Sequence, residues 1–306
     1  MSNKFYYGGQ AVIEGVMMRG KRYWAIAVRK TNSEVTLKHG DVQSITSKYP
    51  ILGKPLIRGS VALIESLVMG MRSLTYSANQ FAEEEEEELT TKDLVLTIAF
   101  AFLLTVGLFI MLPAFIIRNI QELITNDFVL NLLEGAIKIS FFILYIIGIS
   151  FMKDIRRVFQ YHGAEHKAIN CYEAGEELTV ENVQKHSPIH ARCGTNFMLI
   201  VLFMSAFIFT FFGRPPFLLR VGLHLAILPI VAGLSYEIIR KAGQDDCHPI
   251  FKWIAAPGKA LQYLTTREPD GDQIEVAIEA LKAVVEMDAA HHEEKKVKQF
   301  PKTASV

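Results

Sequence analysis

Residues 94–117 read LVLTIAFAFLLTVGLFIMLPAFII, a run of 24 residues without a charged side chain. An α-helix rises about 1.5 Å per residue, so a helix of this length spans the roughly 30 Å hydrocarbon core of a bilayer with some tilt. An uncharged run of this length is typical of a transmembrane helix. The stretch therefore predicts a first membrane span.

Three further segments are similarly apolar, at residues 128–152, 197–212 and 217–239. The first of them carries Glu134 and Lys138, four residues apart on one helical face, which are expected to pair near the membrane boundary. The other two are separated only by a Gly-Arg-Pro-Pro turn, which predicts a helical hairpin. Together these segments predict an α-helical membrane protein with four transmembrane helices.

The distribution of lysine and arginine predicts how the spans are oriented. Twelve of these residues lie in 1–94, six in 152–196 and ten in 240–306, whereas the connections 118–127 and 213–216 hold one each. Cytoplasmic loops carry the excess of basic residues, so both termini and the middle connection are expected in the cytoplasm. The first ten residues show no basic segment leading into an apolar run, so no cleavable signal is expected.

The overall composition excludes several classes of protein. There are 32 basic and 32 acidic side chains, so no global positive field attracts nucleic acid, and no nucleic-acid partner is expected. Three cysteines are too few and odd in number for a disulfide framework. The chain has no Gly-x-Gly-x-x-Gly, no phosphate-binding loop and no Gly-x-Ser-x-Gly elbow.

The segments outside the spans have their own patterns. Apolar and polar residues alternate at 24–29 and again at 35–37, around a Thr-Asn-Ser turn, which predicts a small N-terminal β region. A helical period follows at 55–80, and this helix could lie on the bilayer surface or cover the strands. Six consecutive glutamates at 83–88 predict a solvated linker. The Pro257-Gly258 pair is expected to interrupt a short amphipathic segment near Trp253.

These patterns give the predicted domain organisation. The regions are a cytoplasmic β-rich part at 1–54, an amphipathic helix with an acidic linker at 55–93, a four-span bundle at 94–240 with a cytoplasmic loop at 153–196, and a cytoplasmic helical part at 241–306.

The segment Tyr-His-Gly-Ala-Glu-His-Lys at 161–167 is the strongest candidate for a metal-binding or catalytic site. On a helix, His162 and His166 lie one turn apart on one face, where two imidazoles can bind one metal ion. Glu165 between them can act as a base toward water at that ion, in the His-x-x-Glu-His spacing seen in inverzincins. The loop 153–196 is therefore the predicted site of a divalent metal, with zinc favoured. The alternative is that both histidines simply bond to backbone or carboxylate groups.

Further ligands must come from other segments. His190 and Cys193 have the spacing of paired metal ligands and precede the third span. Cys193 is equally well explained as a small buried apolar residue. The remaining candidates are polar residues expected near the same membrane face or among apolar neighbours, namely Glu14, His186, Glu237, Asp245, Cys247 and His248.

Four segments together resemble one known family: QAVIEGVMMRG at 10–20, YHGAEHK at 161–167, RCGTNF at 192–197 and APGKALQYLTTREP at 256–269. The chain resembles the YqhQ-like family of bacterial membrane proteins, a family of unknown function that is commonly labelled as metal-dependent enzymes. The resemblance implies a multi-pass protein of the bacterial cytoplasmic membrane. It also implies a metal-dependent activity carried by His162, Glu165, His166, His190 and Cys193.

Two functional hypotheses follow from the sequence. The first is a metal-dependent, hydrolase-like enzyme at the cytoplasmic face, with Glu165 as its base. The second is a non-catalytic membrane scaffold or accessory factor that binds a protein partner, with a structural metal or histidine site. A small transporter is disfavoured, because only His224 lies deep within a predicted span. Membrane lipid is an expected partner in every case.

Overall fold

The structure is a computed structural model that describes residues 7–81, 90–244 and 247–299. It is mostly helical, with one small antiparallel sheet near the N-terminus. The strands, paired in the order β1-β2-β3-β4, are β1 (Gly8–Val12), β2 (Gly15–Arg19), β3 (Tyr23–Arg29) and β4 (Val35–Asp41). The helices are α1 (Ile45–Lys48), α2 (Ile57–Phe81), α3 (Thr91–Val106), α4 (Leu112–Ile120), α5 (Asp127–Ile149), α6 (Lys153–Ala174), α7 (Val180–Lys185), α8 (Gly194–Phe209), α9 (Phe217–Ala242), α10 (Pro249–Thr265) and α11 (Gly271–Gln299).

The sheet is covered on both faces, because its two central strands are apolar on both sides. Val16 and Ala27 face a core formed with α6 and α11. Met17 and Ile26, which pair across β2 and β3, face α2 instead. The predicted strands around the turn at 31–33 are confirmed as β3 and β4. The predicted helix at 55–80 is confirmed as α2, and it covers the strands and also packs against α9.

The C-terminal helix completes the core that the N-terminal strands begin. Leu281 of α11 is fully buried against the sheet and α6. At the edge of this contact, the backbone N–H of Lys21 donates to Asp288 at 3.2 Å, and Arg29 pairs with Glu275 at 2.6 Å. Elements from the two ends of the chain and from its middle therefore form one packed unit.

Among the described residues, three helical runs are long and apolar enough to cross a membrane, at 91–120, 127–149 and 219–242. The first runs from α3 through a π-helical segment, Gly107–Met111, into α4. The predicted third span corresponds to α8, which is apolar but only 16 residues long. The predicted pair of Glu134 and Lys138 is confirmed, with 2.9 Å between the charged atoms. The predicted linker at 83–88 lies outside the described residues.

The predicted interruption at Pro257-Gly258 is wrong, since α10 continues through both residues. Helices α8 and α10 pack closely at this point, and a Cβ on Gly258 would lie 2.8 Å from the Asn196 Cα. The tertiary contact keeps the helix intact where local propensity alone favours a break.

Helix α6 is docked to the segment that follows α10 at a position where only glycine fits. A Cβ on Gly163 would lie 2.1 Å from the carbonyl oxygen of Arg267, a contact far inside van der Waals distance. The N–H of Arg267 donates in turn to the Phe159 carbonyl at 2.9 Å. This close approach brings the end of α10 alongside the histidines of α6.

Replacing Gly163 with alanine should therefore destabilise the protein by about 1–3 kcal/mol, because the new methyl group forces the two backbones apart. The measurement is thermal unfolding of the detergent-purified chain. Gly148→Ala is the matched control, since Gly148 is also helical and no atom lies within 4 Å of its added Cβ. Equal melting temperatures for the two variants would contradict the docking.

Candidate metal centre

Helix α6 presents the two predicted histidines on one face. The helix ends at Gly175, which adopts the left-handed conformation with φ 78° and closes the last turn. Within it, the rings of His162 and His166 lie 4.4 Å apart between centroids. His166 is almost fully buried. The predicted placement on neighbouring turns of one helix thus brings the two imidazoles into contact.

Two backbone carbonyls fix the tautomer of these histidines. His162 Nδ1 is 2.8 Å from the Thr265 carbonyl oxygen, and His166 Nδ1 is 2.6 Å from the Pro188 carbonyl oxygen. A carbonyl oxygen can only accept, so both Nδ1 atoms carry the proton and donate it. In this tautomer each Nε2 atom carries the lone pair that can bind a metal ion. Metal-binding histidines are usually held by such a hydrogen bond from the second nitrogen.

Cys193 supplies a third ligand atom. It is the N-cap residue of α8, where the Thr195 N–H donates to its sulfur, and this Sγ lies 3.3 Å from His162 Nε2. One ligand atom from each of His162, His166 and Cys193 lies within 4.8 Å of the other two. Imidazole nitrogen and thiolate sulfur are the donors that suit zinc, so the residues fit the predicted metal.

The chain segment that carries Cys193 is held by a buried amide on α10. The Gln262 side chain accepts from the His190 N–H at 2.9 Å and donates to the His190 carbonyl at 2.9 Å. It also donates to the Asn196 side chain at 2.7 Å, and Asn196 donates to the Ala191 carbonyl at 2.9 Å. Both amide side chains are fully buried and paired. Breaking this network would leave buried polar groups without partners, so it fixes the segment relative to α6 and α10.

The structure places His190 beside the cluster, with its Nε2 turned toward Glu173 and Arg192. Its ring centroid is 5.6 Å from that of His166, but its Nε2 is 3.6 Å from the Glu173 carboxylate and 3.2 Å from Arg192. Burial lowers the pKa of His190 below its ordinary value. Burial alone would raise the pKa of Glu173, yet His190 and Arg192 bring it below the ordinary value. Of the two residues predicted as partners for the histidine pair, the structure brings Cys193 into the ligand group.

Glu165 lies on the side of α6 that faces the sheet. Its side chain is buried and lies next to Gly9 of β1. Burial raises its pKa to about 7, although the nearby His162 and the Gly9 N–H act in the opposite direction. A Cβ on Gly9 would lie 3.2 Å from the Glu165 Cγ, so glycine lets β1 approach the carboxyl group closely. Glu165 can therefore gain or lose a proton near neutral pH.

Glu14 and Glu237 have arginine partners elsewhere in the structure. Glu14 occupies the turn between β1 and β2 with a left-handed φ of 49°, and its carboxylate accepts two hydrogen bonds from Arg157 and one from Tyr161. Glu237 receives two hydrogen bonds from Arg58 at 2.7 and 2.5 Å. Both carboxylates therefore join elements of the fold rather than the cluster at His162.

The other candidates lie apart from the cluster or outside the described residues. His186 groups with Cys171 and Glu176, where the three ligand atoms lie within 4.8 Å of one another. His248 is the N-cap of α10 and accepts from the Ile250 N–H, while Cys247 donates to the Ala242 carbonyl. Asp245 lies outside the described residues.

Several residues that shape the site were not predicted. The carbonyls of Thr265 and Pro188 carry no side-chain signal, because any residue could supply them. Gln262 and Asn196 appear in the segments at 256–269 and 192–197 that suggested the family resemblance, and these segments were the only signal that pointed to them.

Comparison with known proteins identifies the family. The family model described as "Protein of unknown function (DUF1385)" matches residues 54–287. The chain is 34 % identical over 308 residues to "Uncharacterized protein YqhQ" of Bacillus subtilis (strain 168), an alignment that covers 95 % of each chain. No solved structure matches. The resemblance to YqhQ-like proteins that was drawn from four short segments is thereby confirmed. The chain belongs to the DUF1385 family of proteins of unknown function.

Proposed function

We propose that this chain is a membrane protein that holds a divalent metal ion, zinc being favoured, between His162, His166 and Cys193, and uses it for hydrolysis at the cytoplasmic face. The observation that carries the proposal is the convergence of three ligand atoms within 4.8 Å. The two carbonyl contacts at Nδ1 support it, because they leave both Nε2 atoms available to a cation.

The packing of α6 and α11 against the same sheet is an argument for four membrane crossings. These elements must lie on one side of the bilayer, so the chain has to cross an even number of times between them. The run 91–120 and α5 provide two crossings before α6. Between α6 and α11, α9 provides one, and the apolar α8 is the proposed second. At about 24 Å, its 16 residues are short for a bilayer, which can thin locally around such a helix.

The basic residues support a cytoplasmic location for this packed unit. Of the 32 lysines and arginines, 28 lie in residues 1–94, 152–196 and 240–306, the parts of the chain on this side. Both termini and the metal site are then cytoplasmic.

At such a site the metal ion and the protein side chains would have different chemical roles. A bound zinc ion supplies Lewis-acid activation of water or of a carbonyl group. His162, His166 and Cys193 would hold the ion, and three protein ligands would match the number found in catalytic zinc sites. Glu165, with a pKa raised to about 7, is the proposed proton acceptor and donor. His190 and Gln262 position the segment that carries Cys193.

The second candidate function is a scaffold in which the metal only fastens the fold. Burial favours it: His166 is 1 % and Cys193 7 % exposed, so a substrate has little direct access. A closed structural site joining α6 to the start of α8 would stabilise the same arrangement without catalysis.

Purified protein loaded with zinc and then dialysed should retain about one ion per chain, measured by elemental analysis. His162→Ala and Cys193→Ser should each reduce the retained zinc severalfold, because two ligands bind the ion weakly. His39→Ala is the control, since His39 is exposed on β4 and should leave the zinc content unchanged. Less than about 0.2 ion per wild-type chain, unaffected by His162→Ala, would refute the metal site.

Cobalt in place of zinc should distinguish the two candidate functions. With an open fourth position, a small chelating anion such as acetohydroxamate should change the visible absorption of the cobalt-loaded protein. A spectrum that does not respond to the added anion would favour the structural site. Cys193→Ser should remove the sulfur-to-cobalt charge-transfer absorption in either case.

Glu165→Gln should keep the metal but remove the function, because glutamine has nearly the same shape and cannot exchange a proton. In a bacterium whose own gene for this protein is deleted, any defect rescued by the wild-type gene should persist with Glu165→Gln. Metal content and melting temperature of the variant provide the control. Full rescue by a metal-loaded Glu165→Gln variant would contradict catalysis and support the scaffold.

A further inference from the structure

A large cavity lies at the end of the helical bundle opposite the histidine cluster. Its volume is about 910 Å³, which is the size of a site for a ligand rather than for single water molecules. Its walls come from the end of the run 91–120, the loop before α5, the first turns of α5, the turn between α8 and α9, and the first turns of α9.

The cavity has an excess of positive charge at one end of a bundle of apolar helices. Among the described lining residues, the four cationic side chains are Arg118, Lys138, Arg214 and Arg220, against the two carboxylates of Asp127 and Glu134. Charged groups within membrane helices are expensive and usually mark a functional site. An excess of two positive charges favours an anionic ligand.

Glu134 cannot neutralise the cations that surround it. Its buried carboxylate pairs with Lys138 at 2.9 Å and with Arg220, and it lies 3.8 Å from Arg214. The Nη1 atom of Arg214 is buried and has no hydrogen-bond partner among the described residues. The positive charge of Arg214 is therefore only partly compensated, and a phosphate group matches the fork of donors that the accessible part of a guanidinium presents.

The other walls of the cavity are apolar. Ile110, Ala114 and Phe115 face it from the first helical run, and Val221 and Leu225 face it from α9. The most apolar 18-residue stretch of that first run has no buried residue, so this helix stands partly away from the rest of the bundle. Hydrocarbon chains, which a soluble anion lacks, can lie along these apolar walls.

We propose that this cavity binds an anionic phospholipid, with its phosphate at Arg118, Arg214 and Arg220 and its acyl chains along the apolar walls. Basic pockets between transmembrane helices recognise lipid headgroups in this way. The inference needs the bundle to lie in a bilayer, as the proposed function also does, but it does not depend on the metal site at the other end.

The test is native mass spectrometry of the full-length protein in detergent, titrated with phosphatidylglycerol or phosphatidylcholine. Phosphatidylglycerol should bind at least tenfold more tightly, because its headgroup keeps the negative charge. An Arg118→Gln/Arg214→Gln double variant should lose this preference. Arg240→Gln is the matched control, since Arg240 is an exposed cation at the other end of α9.

A second variant separates loss of binding from loss of folding. Ala114→Trp fills the cavity without changing its charge and should weaken phosphatidylglycerol binding, whereas His162→Ala should leave it unchanged. Equal affinities for the two lipids, or a double variant that binds like Arg240→Gln, would overturn the proposal. Displacement of the lipid by an equal concentration of inorganic phosphate would overturn the lipid assignment in favour of a soluble anion.

Discussion

Helix α6 is rich in polar residues and yet lies at the centre of the packed unit, so each of its buried polar groups must have a partner. Arg157 and Tyr161 bond to Glu14, and Lys167 bonds to the Gln184 carbonyl at 2.7 Å and pairs with Glu268 at 2.7 Å. The partners come from the turn between β1 and β2, from helix α7 and from the segment after α10. This requirement ties distant parts of the chain to one helix and fixes their positions around it.

The arrangement at the histidines follows from the same requirement. The partly buried His162 and the buried His166 need acceptors for their Nδ1 protons, and the Thr265 and Pro188 carbonyls provide them. Gly163 permits the necessary approach of the backbone after α10. Once the rings are fixed in this way, their remaining nitrogens lie close to Cys193. The proposed metal site is thus a consequence of how the helix satisfies its polar groups.

The two ends of the helical bundle carry different chemistry. Nitrogen and sulfur donors converge at the end next to the sheet. Cationic side chains surround a single buried carboxylate at the other end. Metal binding needs electron-pair donors, whereas phosphate binding needs hydrogen-bond donors and positive charge. The proposed metal site and the proposed lipid site therefore depend on different residues with different chemical properties.

The sequence by itself determined the features that depend on neighbours along the chain. The apolar runs, the alternation in β3, the helix α2, the pairing of Glu134 with Lys138 and the common face of His162 and His166 all follow from local periodicity. The residues in four short segments were enough to identify the family. Only the tertiary structure decided that Cys193 rather than His190 joins the histidine pair and that Glu14 binds Arg157. It also decided that α10 continues through Pro257 and that Gln262 holds the segment connecting α7 to α8. These contacts join residues far apart in the chain, and their partners are often backbone atoms or glycine positions. Local pattern does not specify such partners, because they are set by which elements pack together and how closely.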